Sequence, residues 1–232
     1  MRKRFQHKGF SLTEVLLAIG TLAIGMSFVG GTFFVGIHLS TVATERTIAA
    51  VVADEAFTKI QLYGFDPESF ILTTNKKFQI DDPNKAYEFT YPSTNIMGDK
   101  QYYWSALCRP VSPNLSSVMQ VTVFISRKVG SSLEIPVPVE VPVSEVTGTG
   151  NENQLSIIDI DKQSFINAGS KIVANRTGKL YRVVERDAVS GNIIILDIPW
   201  EAGAATDSVW VIPPTSGGKN PCIAVYQKEI RF

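Results

Sequence analysis

The residues best placed to do chemistry stand at the start of the chain, in Lys8-Gly9-Phe10-Ser11-Leu12-Thr13-Glu14. Glu14 opens a run in which no Asp, Glu, Lys or Arg occurs from Val15 to Thr44. A carboxylate placed in an apolar helix of that kind costs about 2.5 to 3.5 kcal/mol near a bilayer centre, and less near its interface. It needs a partner. If the chain is cleaved between Gly9 and Phe10, a new α-amino group of opposite charge appears four residues before Glu14. The chemistry such a pair would offer is neutralisation of a charge.

Elsewhere, reactive side chains are sparse. The two histidines, His7 and His38, both precede the soluble part, which leaves that part without a histidine for a triad, a general base or the usual zinc site. Cys108 and Cys222 are the only cysteines and lack CxxC spacing. They read either as one disulfide in an oxidising compartment or as two buried free thiols behaving as small hydrophobes. Asp159 and Asp161 flank Ile160 and would share a strand face as solvated carboxylates; no loop of six to eight converging oxygens, as calcium requires, surrounds them. Asp81-Asp82 before Pro83 reads as turn chemistry. Asn114-Leu-Ser116 and Asn175-Arg-Thr177 match a glycosylation acceptor pattern but read as turns, and Trp104, Trp200 and Trp210 read as core. Nothing resembles a nucleophile elbow, a phosphate loop or a dinucleotide fold. The expectation is a protein that is not an enzyme, with no cofactor and no metal.

These residues need elements to hold them. The uncharged run is about twice as long as the 7 to 15 apolar residues of a secretory signal, and it matches the roughly 20 residues at 1.5 Å rise of a membrane-spanning helix. Arg2, Lys3, Arg4 and Lys8 precede it and the next charges are Glu45 and Arg46, so the N-terminus is expected in the cytoplasm and the bulk outside. Beyond Leu39 the pattern becomes one-sided: Ala49, Val52, Ala53, Ala56, Ile60 and Tyr63 recur at helical spacing, predicting one long helix that lays a stripe on a globular head. Tyr63-Gly64-Phe65-Asp66-Pro67 ends it.

The rest reads as β structure within a chain whose 44% hydrophobic content can fill a core. Strands are predicted over 78–80, 87–91, 101–109 and 118–128, with Pro110, Pro113 and Asn114 between the last two. The prolines of Ile135-Pro-Val-Pro-Val-Glu-Val-Pro-Val143 predict an edge strand or extended connector that discourages further pairing. After the turn or linker at 147–153, short strands over 155–160, 170–175, 179–185, 192–198 and 208–212 suggest a small barrel or sandwich, with turns at 176–178 and 190–192. A last strand from Cys222 to Phe232 returning to the first sheet would bring Cys222 towards Cys108.

Lys8-Gly9-Phe10-Ser11-Leu12-Thr13-Glu14 followed by a long apolar run resembles the prepilin cleavage and methylation signature of the type IV pilin-like family. The resemblance covers about the first 60 residues. It implies that a prepilin peptidase cuts after Gly9 and methylates Phe10, and that Glu14 neutralises the N-terminal amine of a neighbouring subunit. Thr13 stands where many members carry an aliphatic residue. Gly30-Gly31 occupies the neighbourhood of a helix-bending proline in major subunits, and glycine weakens a helix by about 1 kcal/mol relative to alanine. Gly20, Gly25, Gly30 and Gly36 also suit close helix packing in a membrane.

The expected fold is α+β: a leader at 1–9, and a helix at 10–63 with its transmembrane half at about 15–39 and its amphipathic half at about 40–63. A pilin-like antiparallel β head at 64–146 and an added small all-β module at 147–232 with a C-terminal strand follow. Removal of the leader takes four of the 22 Lys plus Arg and none of the 22 Asp plus Glu. The mildly acidic remainder argues against direct nucleic-acid binding. The resemblance implies a bacterial inner-membrane protein with a periplasmic or extracellular head. Its partners would be prepilin peptidase, other pilin or pseudopilin subunits and an inner-membrane assembly platform. The leading reading is a minor pseudopilin of a type II secretion system. The alternatives are a minor pilin of a type IV pilus, serving adhesion, motility or DNA uptake, and a single-pass anchored periplasmic binding module.

Overall fold

The structure is a computed structural model that describes residues 10–64, 74–79, 87–93, 101–112, 115–128, 135–146, 148, 152–187, 191–201, 206–215 and 220–232. It is α+β, one long helix and two β assemblies, and divides into two units between Glu45 and Arg46. Helix α1 runs unbroken through that division, from Leu12 to Tyr63, 52 residues. Ser11 starts it: the Glu14 N–H donates to Ser11 Oγ at 3.2 Å, and the Ser11 carbonyl accepts from the N–H groups of Glu14 and Val15. Gly64 stops it. At φ 70° it occupies the left-handed region, and its N–H donates to the Ile60 carbonyl at 3.0 Å, the expected glycine stop.

In the first unit α1 carries its apolar side chains uncovered; Leu17, Phe28 and Phe34 are 71%, 72% and 73% exposed. The hydroxyls interspersed among them turn inward. Thr21, Ser27, Thr32 and Thr41 donate to backbone carbonyls three or four residues earlier, at 2.9–3.0 Å. A polar side chain satisfied by its own helix can enter hydrocarbon at little cost. The helix is long and apolar enough to cross a membrane.

In the second unit the last turns of α1 bury Ala49, Val52, Ala53, Ala56, Phe57 and Ile60 on a five-stranded antiparallel sheet. Its strands are β1 (Lys76–Lys77), β2 (Thr90–Tyr91), β3 (Tyr102–Ser112), β4 (Leu115–Arg127) and β11 (Cys222–Arg231), in the order β1-β3-β4-β11 with β2 also on β3. Trp104, Ala106 and Cys108 of β3, Met119, Val121, Val123 and Ile125 of β4, and Ala224 and Ile230 of β11 meet the helix. The three alanines of α1 leave room for this close approach.

The other face of the sheet is buried too. Leu107 and Phe124 pack with Val173, Trp210 and Ile212 of a closed six-stranded barrel, order β10-β5-β6-β9-β8-β7. Its strands are β5 (Val139–Glu145), β6 (Gln154–Ile157), β7 (Lys171–Ala174), β8 (Leu180–Arg186), β9 (Ile193–Leu196) and β10 (Thr206–Val211). Val141, Leu155, Ile172, Val183, Ile194 and Val209 are among the residues filling it. Sheet and barrel are joined by polar contacts as well. The Asn75 side-chain amide donates to the carbonyls of Ala174 and Asn175, and Gln227 Nε2 donates to Thr122 Oγ1 and to the Gly178 carbonyl at 2.7 Å.

Several expectations need correction. The strand expected over 78–80 is Lys76–Lys77, with Phe78 adding one bond to the Ala106 carbonyl; Ile80 lies outside the described residues. Of 87–91 only Thr90–Tyr91 is strand, because Tyr87–Phe89 turn as a 3-10 helix. Pro110 lies inside β3, next to a register shift and beyond the end of β1, where no ladder needs its missing N–H. The proline-rich stretch is not an edge: β5 pairs with both β10 and β6. The Pro142 carbonyl accepts from Ile158, past the last β5–β6 register pair at Val143 and Ile157, so its ring interrupts no rung. The barrel therefore begins at Val139, and β11 leaves it for the sheet. Asp159 and Asp161 are not on a strand. Asp159 caps a 3-10 turn, Ile160–Phe165, by accepting from the Asp161 N–H at 3.1 Å.

Two glycines separate backbone strain from crowding. Gly64 (φ 70°) has open space where a Cβ would stand, whereas at Gly178 (φ 68°) a Cβ would strike Gln120 Oε1 and the Arg109 side chain. Gly64→Ala is expected to cost about 1 kcal/mol and Gly178→Ala at least about 1 to 3 kcal/mol more, by denaturant unfolding of the full chain. Equal losses would mean that the barrel does not press on Arg109 and Gln120.

Candidate functional site: the N-terminal helix and its seat on the sheet

Phe10 and Glu14 are both exposed, Phe10 by 82%, at the capped start of α1. Gly9, the other half of the expected scissile bond, lies outside the described residues. The structure adds Ser11, whose hydroxyl caps the first turn. The spacing Ser11-x-x-Glu14 is that of a capping box, and this signal was in the sequence to be found. A carboxylate at this position also faces the positive end of the helix dipole. The first turn therefore holds together without Gly9, and Glu14 stays on its surface.

At the other end of α1 an ion-pair network fixes the seat. Lys59 Nζ lies 3.0 Å from Glu55 and 2.9 Å from Glu88, and it donates to the Glu88 backbone carbonyl at 2.8 Å. Ser93 donates to Glu55 at 2.6 Å, and the Trp104 indole N–H donates to the same Glu88 carbonyl at 2.9 Å. The Lys59 and Glu88 side chains are only 12% and 15% exposed, so this pair is screened less than a surface pair. Sequence reading missed Lys59, Glu88 and Phe57. Lys59 looked like an outward charge because Glu88, the partner that buries it, lies 29 residues along the chain in a 3-10 turn.

The remaining candidates do not converge on a site. Cys108 is buried on the helix-facing side of β3, and Cys222 packs with the barrel-facing cluster, at the register of Ser126 on β4. β4 stands between them, and both thiols are free. Burial pushes the Cys108 thiol well up and Cys222 up to about 11. Asn175 turns the chain between β7 and β8; its carboxamide oxygen accepts from the Trp210 indole and the Asn75 N–H, and its amide donates to Glu140. Trp104, Trp200 and Trp210 are core. Asp81, Asp82 and Asn114 lie outside the described residues. Among the described residues no three His, Cys, Asp or Glu side chains stand together.

The arrangement leaves the apolar first part of α1 uncovered and holds its last turns on the sheet. Comparison with protein-family models, with curated proteins and with solved structures finds no match.

The clamp is pH-sensitive. Burial raises the Glu88 carboxyl, but the Lys59 ammonium and the Tyr63 and Tyr87 hydroxyls outweigh it and hold the group below its usual 4.5. A lowered acid stabilises the fold above its unfolded value and loses that contribution as pH falls through the folded one. Glu88→Gln is expected to lower the unfolding midpoint at pH 7 and to converge on wild type as the pH falls below 4.5 and through the lower folded value. A difference unchanged across that acid range would contradict the Lys59–Glu88 coupling.

Proposed function

We propose that this chain is a minor pseudopilin of a type II secretion system. It would be cut after Gly9 by a prepilin peptidase, methylated on Phe10, and held in the bacterial inner membrane by α1 with its head in the periplasm. The observation that carries this reading is the 52-residue helix: apolar and uncovered over its first part, and buried on an antiparallel sheet over its last turns, with no linker between the two. A simple membrane anchor needs neither that continuity nor the buried seat. The processing motif supplies the rest, since Gly9, Phe10 and Glu14 stand at the offsets the pilin-like family uses.

In the filament, subunits would leave the bilayer through an inner-membrane platform and pack by their helices. Glu14 would then face the α-amino group of a neighbour's Phe10, removing two charges from hydrocarbon at once. The barrel adds bulk on the face of the sheet opposite α1. Such bulk suits a subunit that primes or tips a short filament better than one repeated along a shaft.

Glu14→Leu is expected to leave insertion and processing intact and to cut recovery in cross-linked filaments by at least about tenfold. An unpaired amine in the membrane costs more than the 1.4 kcal/mol that a factor of ten represents. Equal incorporation of variant and wild type would overturn the assembly role of Glu14.

A further inference from the structure

Unpaired polar atoms collect at the interface between the sheet and the barrel. Leu107 of β3 and Phe124 of β4 point into it, so Ser105, Arg109 and Ser126, each two residues away on the same strands, share that face. They are 5%, 8% and 1% exposed. Ser105 Oγ, Ser126 Oγ and the Nε and Nη1 of Arg109 have no hydrogen-bond partner among the described residues. Arg109 is the most costly of these, because a buried charge without a partner is strongly destabilising. The turn between β7 and β8 presses on it at Gly178, where a Cβ would lie 2.8 Å from Arg109 Nη1, so no counter-ion fits on that side. Water would satisfy all of these groups if the interface opened.

The forces that hold it shut are few. Its apolar part among the described residues is five buried side chains, Leu107, Phe124, Val173, Trp210 and Ile212, against sixteen in the helix-side core and fourteen in the barrel interior. No strand ladder crosses it, since the five-stranded sheet and the closed barrel are separate sheets. Asn75 and Gln227 reach across by side-chain hydrogen bonds to the carbonyls of Ala174, Asn175 and Gly178, bonds that water replaces at little net cost. The chain itself passes between the two modules at two places, from β4 to β5 and from β10 to β11. The barrel can therefore part from the sheet with every strand of both left intact.

We propose that the barrel parts from the sheet as a folded unit, well short of global unfolding, so that the interface opens while α1 keeps its seat. In the open form Arg109, Ser105 and Ser126 regain water, and the helix-side core and the barrel interior stay closed. The N-terminal segment takes no part in this motion, so it and the filament role stand or fall separately.

The two free thiols report on the motion, because Cys222 packs at the interface and Cys108 in the helix-side core. The test follows alkylation of each by iodoacetamide, read by peptide mass spectrometry, on the full chain in detergent micelles across a urea series. Cys222 is expected to react through the smaller opening, faster than Cys108 and with a shallower urea dependence, since that slope scales with the surface exposed. Arg109→Met removes the unpaired charge and keeps the length of the side chain, and it is expected to slow Cys222 by at least about tenfold. Gly178→Ala crowds Arg109 and Gln120 when the interface is shut, and it is expected to speed Cys222 by at least about tenfold. Ile60→Val weakens the helix seat and is expected to speed Cys108 by about three- to tenfold while leaving Cys222 unchanged at low urea. Equal urea slopes at the two thiols, a Cys222 rate that Arg109→Met leaves unchanged, or an Ile60→Val variant that speeds both thiols alike would each overturn the proposal.

Discussion

The burial of Ala49, Val52, Ala53, Ala56, Phe57 and Ile60 on the antiparallel sheet is the contact on which the rest depends. It gives the head its helix-side core, and it sets the end of α1 rigidly against β3 and β4. The alanines allow close approach, while Phe57 and Ile60 supply most of the apolar area. Lys59 then closes the seam by bridging Glu55 and Glu88.

The second constraint is that the central strands β3 and β4 are covered on both faces. Helix on one side and barrel on the other explain why β3 is buried almost from end to end. They also explain the polar residues enclosed between sheet and barrel. Ser105, Arg109, Thr122 and Ser126 are all buried, and Arg109 has no partner for its Nε and Nη1 among the described residues. Burial accordingly lowers the Arg109 pKa. The face that the barrel covers is thus of mixed polarity.

This mixed face is also why the sequence was only partly legible. Period and punctuation were enough for α1, its buried stripe, its glycine stop and five strands of the barrel, because each is written locally. The barrel-facing side of the sheet was not, since Gln120 and Thr122 alternate with valines as they would on a solvated strand. Pro142 suggested an edge because its position at the end of the β5–β6 ladder depends on where β6 stops, a tertiary fact. Asp159 and Asp161 looked like strand carboxylates because a cap two residues long carries no periodicity. Cys108 and Cys222 were brought to one sheet as expected, but on opposite faces and with β4 between them. The start of α1, with Phe10 before it and Glu14 in its first turn, was readable from the sequence, whereas the Lys59–Glu88 clamp joins distant segments and leaves no pattern.

In the function proposed, the N-terminal segment is a processed assembly helix rather than a permanent anchor. The most direct measurement is the intact mass, with N-terminal fragmentation, of the chain recovered from membranes of cells that make a prepilin peptidase. The expected result is a chain lacking Met1 to Gly9 that begins with N-methylated Phe10. A chain that retains Met1, or begins at any other residue, would contradict it.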